Sequence, residues 1–129
     1  MDIEIWIKSI NEAKDDKIVC EFLTDYEKEI LDKKCFCVND PKKIFNFFGK
    51  LFQSTEKSVI AALLKLVEAI ISVSGHDIDS YIDIILGDVI DSLFDSQKDI
   101  RENGNKAIKQ YILRTRNVDK IWNSYYAQG

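Results

Sequence analysis

Apolar residues recur at steps of three and four along nearly the whole chain, and this spacing constrains the fold more than any other feature. A chain patterned in this way packs helices against helices. Only one Pro and five Gly stand among its 129 residues, too few turn formers for a strand-rich sandwich or barrel. The predicted class is all-α. With 46% hydrophobic and 31% charged residues, residues 1–129 are expected to form a single domain able to bury its own core, either alone or as a piece of a longer array.

The apolar spacing divides into seven helical segments. Asp2 caps the first, whose stripe is Ile3, Trp6, Ile7 and Ile10. Asp15-Asp16 interrupts the pattern, and a second helix follows with Val19, Phe22, Leu23, Tyr26 and Ile30. Lys33-Lys34 closes it with positive charge where the helix dipole is negative. Asp40-Pro41 is a start signal for the third, because proline at the first helical position gives up no hydrogen bond. Its apolar arc is Ile44, Phe45, Phe47, Phe48, Leu51 and Phe52. The fourth, capped by Ser54 or Thr55, is apolar on most sides from Val59 to Ile70 and is expected to be the most buried. The fifth, capped by Asp77 or Asp79, carries the strongest period, running from Ile78 through Ile85 to Leu93. Ser96-Gln97-Lys98-Asp99 reads as a capping box with Asp in place of Glu, opening a sixth helix. Gly104 within that helix would let a neighbour approach closely. The seventh starts at Asn117, with Val118, Ile121, Trp122, Tyr125 and Tyr126 as its stripe.

The caps of the odd-numbered helices, Asp2, Asp40, Asp79 and Asn117, follow one another at intervals of 38, 39 and 38 residues (40 − 2, 79 − 40 and 117 − 79). That period suits an antiparallel helix pair stacked on copies of itself. The expected architecture is an α-solenoid of about three such pairs. A single up-and-down bundle would show similar segments without requiring an even interval.

Several function classes are disfavoured. A formal charge of -4 gives no field that attracts nucleic acid or an anionic membrane. Val59 to Val73 is interrupted by Lys65 and Glu68 and is too short to cross a bilayer. Met1-Asp2-Ile3-Glu4 lacks the basic start of a secretory leader, so a cytoplasmic location is expected. The odd set Cys20, Cys35 and Cys37 argues for reduced thiols, read as small buried hydrophobes. Cys35, Cys37 and His76 do not match a zinc spacing, so no metal or other cofactor is expected. His76 has no nucleophile at a partnering distance, and no phosphate loop or nucleophile elbow occurs, so enzymatic activity is not expected. The carboxylates Asp77, Asp79, Asp83, Asp88 and Asp91 are spread along a solvated helix face.

The stretch Leu93-Phe94-Asp95-Ser96-Gln97-Lys98-Asp99-Ile100-Arg101-Glu102 resembles the turn of a HEAT repeat. Asp95 stands at the turn, and Ile100-Arg101 at the aliphatic–Arg pair that opens the second helix. The longer run from Val73 to Ile112 is similar to a repeat of the TOG domains, the tubulin-binding HEAT arrays of microtubule polymerases and CLASP proteins. This resemblance implies a thin paddle whose intra-repeat turns meet tubulin or a microtubule-associated protein at the cytoskeleton. Carried over by residue, the contacts are Lys57 and Lys98, with Lys17 in the first turn, while Asp95 and Arg101 form a structural ladder. Two departures stand out. Lys14-Asp15-Asp16-Lys17 lacks the exposed aromatic usual in a TOG first turn, and the chain has room for about three repeats rather than about six.

A second reading is a HEAT-repeat scaffold or dimerisation domain. Its contact would be the aromatic C-terminal cluster Trp122, Tyr125 and Tyr126, with a second copy as one possible partner.

Overall fold

The computed structural model describes residues 2–114. The expected seventh helix, with Trp122, Tyr125 and Tyr126, lies outside the described residues. Within them, every regular element is helical.

Local chemistry sets where each helix begins. The Asp2 carboxylate accepts from the Glu4 and Ile5 N–H groups and opens α1 (Ile3–Asn11). Asp15 accepts from the Ile18 N–H and opens α2 (Asp16–Lys33), so the acidic pair that breaks the pattern also starts the next helix. Asp40 accepts from the Lys43 N–H, with Pro41 at the first position of α3 (Pro41–Leu51). Before α4 (Lys57–Val73) the cap is Glu56 rather than Ser54 or Thr55, and the Ser54 hydroxyl accepts from the Glu56 N–H to hold the turn.

The expected fifth helix is broken into pieces. A 3-10 turn at His76–Ile78 leads into α5 (Asp79–Ile82), then α6 (Leu86–Asp91) and a second 3-10 turn at Ser92–Phe94. Between α5 and α6 the Ile84 and Ile85 N–H groups bond three residues back, to Tyr81 and Ile82, which tightens the coil. Ile78 precedes α5 with no side-chain cap, so neither Asp77 nor Asp79 has the expected role. Even so, Ile78, Ile82, Ile85, Leu86, Val89 and Ile90 are all buried. The period reported which residues face the core, and a succession of short α and 3-10 turns satisfies it as well as one continuous α-helix.

The last described helix, α7 (Lys98–Arg114), packs on one side of α4 while α2 packs on the other. That position makes α4 the most enclosed element: Leu63, Leu64, Leu66, Val67 and Ile70 are fully buried. α1, α3 and α5 make a second series of contacts, α1 with α3 and α3 with α5. Between the two series lies an aromatic cluster. Trp6 meets Tyr26 at 5.2 Å and Phe47 at 6.0 Å, and Phe45 stacks on Tyr81 at 6.3 Å. Trp6 is therefore core.

Gly104 does allow a close approach. A Cβ there would collide with the Ser92 hydroxyl and lie 3.1 Å from its Cβ. Without a side chain at this position, α7 presses directly on the 3-10 turn at Ser92–Phe94.

A candidate docking rim

The candidate rim comprises the turns that precede α2, α4 and α7. Polar contacts join them laterally. The Cys20 thiol in α2 reaches the Ser58 hydroxyl in α4 at 3.7 Å, across a separation of 38 residues. The Lys57 ammonium at the start of α4 donates to the Asp95 carboxylate before α7 at 2.6 Å, again across 38 residues. On the other series, Lys43 in α3 donates to Glu4 in α1 at 2.8 Å, 39 residues away. Glu68 in α4 feels Lys106 of α7 and Glu27 of α2, although burial is the larger cause of its raised pKa.

The Asp95 turn is the best-tied part of this edge. Its carboxylate accepts from Lys57 and from the Gln97 N–H at 2.9 Å. The Arg101 guanidinium donates to the carbonyls of Asp95 and Ser96 at 2.8 and 3.0 Å. Asp95 and Arg101 thus lock the turn, and the carboxylate reaches across to Lys57 rather than to Arg101. The Lys57 hydrogen bond, then the Gln97 N–H, holds the Asp95 carboxyl below the usual carboxylate range.

The three lysines singled out from sequence have different surroundings. Lys57 is engaged by Asp95 in a cleft of about 230 Å3 that also holds Asp88 and Asp91. Burial, followed by Asp91, raises the Asp88 pKa, so this cleft is acidic rather than a free row of ammonium groups. Lys98, exposed at the first position of α7, lies 3.8 Å from Glu102. Lys17 is exposed in the first turn of α2.

Phe94 was missed in sequence. It is 55% exposed and shares an open cleft of about 480 Å3 with Lys98 and Arg101. Its position after Leu93, one step off the buried stripe at the end of a helix, was the available signal.

Cys35 and Cys37 are exposed and Cys20 is half-buried, which corrects the expectation of buried thiols. Phe36 between them tucks inward, against Tyr26 and Phe45. Among the described residues no group of three or more His, Cys, Asp or Glu could hold a metal ion. No helix among them is long and apolar enough to cross a membrane. Comparison with known families, with curated proteins and with solved structures finds no match.

The Lys57–Asp95 joint gives a pH prediction. Because the folded-state pKa of Asp95 is depressed, its stabilisation is complete above the unfolded value of about 3.9 and is lost as pH falls towards the folded value. Asp95→Asn should cost about 1 kcal/mol at neutral pH, a modest figure because Lys57 is partly solvated. Thermal melts of the two proteins should converge as the pH is lowered below about 3.9; a gap that widens in acid would contradict the assignment.

Proposed function

We propose that the chain is a HEAT-type stack of about three helical hairpins acting as a non-enzymatic, TOG-like docking module. Its turn rim grips tubulin or a microtubule-associated protein at the cytoskeleton. The observation that carries this reading is register. Lateral contacts at Cys20–Ser58, Lys57–Asp95 and Glu4–Lys43 join residues 38, 38 and 39 apart, matching the sequence period. A stack of hairpins places equivalent residues side by side. A bundle closed on itself has no reason to repeat one separation. The placement of α4 between α2 and α7 supports the same arrangement.

The contact chemistry falls to Lys17 and Lys98, with Phe94 as an apolar anchor beside Lys98. Lys57 serves the joint between turns. Tubulin is strongly acidic, so exposed ammonium groups on rigid turns favour encounter and fix orientation despite the negative net charge. Charge reversal at both contact lysines (Lys17→Glu with Lys98→Glu) should weaken binding by about tenfold or more and remove comigration with tubulin in gel filtration. Circular dichroism should be unchanged. Undiminished comigration would count against this rim.

One observation favours the second reading, a scaffold or dimerisation domain. Ile112 and Leu113 place exposed apolar side chains at the end of α7, next in sequence to the segment that carries Trp122, Tyr125 and Tyr126. On that reading, Trp122→Ala removes a concentration-dependent mass in light scattering.

A further inference from the structure

Two exposed thiols take no part in the docking rim. α2 ends at Lys33, and Lys34 adopts a left-handed conformation with φ 53°. That turn lays the connector back along the end of α2, so that Cys35 and Cys37 line one cleft of about 230 Å3 with Tyr26, Glu29 and Lys33. Phe36 is anchored between the rings of Tyr26 and Phe45, at 6.5 and 6.0 Å, which fixes the residue linking the two cysteines.

We propose that Cys35 and Cys37 form a redox-active dithiol that is oxidised by low-molecular-weight disulfides of the glutathione class. The two cysteines line the same cleft, and the Cys37 side chain is the main cause of a raised pKa at Cys35. Lys33 acts in the opposite direction on the same thiol. Tyr26 lines the same cleft; the pKa of its hydroxyl is raised chiefly by burial, then by Glu29 and both thiols.

The exchange balances without any further reagent. The Cys37 thiolate attacks one sulfur of the small disulfide, forming a mixed disulfide and releasing one small thiolate, which takes up the proton lost from Cys37. Cys35, as its thiolate, then attacks the Cys37 sulfur. The Cys35–Cys37 bond forms and the second small thiolate leaves, taking up the Cys35 proton. One small disulfide is reduced to two thiols while the protein loses two hydrogens. A disulfide across one intervening residue closes a small strained ring, so it should be easily reduced again.

The test uses the full chain carrying Cys20→Ser, treated with oxidised glutathione and followed by intact mass and peptide mapping. The expected product is lighter by two hydrogens, with the new bond between Cys35 and Cys37, and returns to the dithiol in reduced glutathione. Adding Cys35→Ser should halt the reaction at one glutathionyl group on Cys37 and slow release of the second glutathione by about tenfold or more. Absence of reaction, or stable glutathionylation of both cysteines in the Cys20→Ser protein, would each overturn the proposal. Unchanged helicity in both proteins separates these outcomes from misfolding.

Discussion

Leu63→Ala in α4 is expected to destabilise the protein by about 4 kcal/mol, near the upper end of the range for buried leucines. Leu63 is fully buried on a helix flanked by α2 on one side and α7 on the other. A cavity opened between two packed neighbours cannot be filled by one wall moving inward without loosening the other. The lost transfer free energy therefore adds to most of the cavity cost. For a chain of this size the melting temperature should fall by about 15 °C. Urea denaturation should still give one transition, because both flanking helices lose their shared support together. Ile5→Ala, at an exposed position of α1, should stay within about 0.5 kcal/mol of the parent and serves as the control.

Gly104→Val should cost about 3 kcal/mol, the second-largest effect, through overpacking. Even an alanine Cβ would strike the Ser92 hydroxyl, which donates to the Val89 carbonyl in a buried turn. Valine adds two further methyl groups against the same turn. Gly104→Ala has a compensating term, since alanine gains about 1 kcal/mol of helix propensity over glycine. Pairing Gly104→Ala with Ser92→Gly removes the obstruction and should recover stability lost by Gly104→Ala alone. Chemical denaturation of the single and double variants measures this coupling directly. Strict additivity would show that the two residues do not touch.

The two positions illustrate what was legible before any coordinates. Spacing alone identified α4 as the most enclosed helix, because Leu63, Leu66, Val67 and Ile70 leave it little polar surface. The Asp2 and Asp40-Pro41 caps were equally readable, since their chemistry is complete within a few residues. The break in the fifth helix was not. A buried stripe constrains side-chain direction, and switching from four-residue to three-residue hydrogen bonds at Ile84 and Ile85 alone turns that direction by only about 20° per residue.

Candidate-site residues divide in the same way. Asp95 and Arg101 were placed at a turn by the resemblance to a HEAT-repeat motif, which is local, but the partner of the Asp95 carboxylate could not be named. Lys57 lies 38 residues away and reaches Asp95 only when two turns are brought together. The exposure of Cys35 and Cys37 was hidden for a similar reason. It depends on Lys34 turning left-handed and on Phe36 taking the inward place between them.

A rim exists only if α2, α4 and α7 all start at the same end of the molecule. Pulsed electron resonance between spin labels at positions 17 and 98, with the native cysteines replaced by serine, reads this arrangement directly. Neighbouring helices pack 8–10 Å apart, so two such steps predict a narrow distribution centred at about 16–20 Å plus the reach of the label arms. If α7 instead began at the opposite end, its length of about 25 Å would add to the separation and place the peak beyond about 30 Å. A peak beyond that distance would contradict the shared rim.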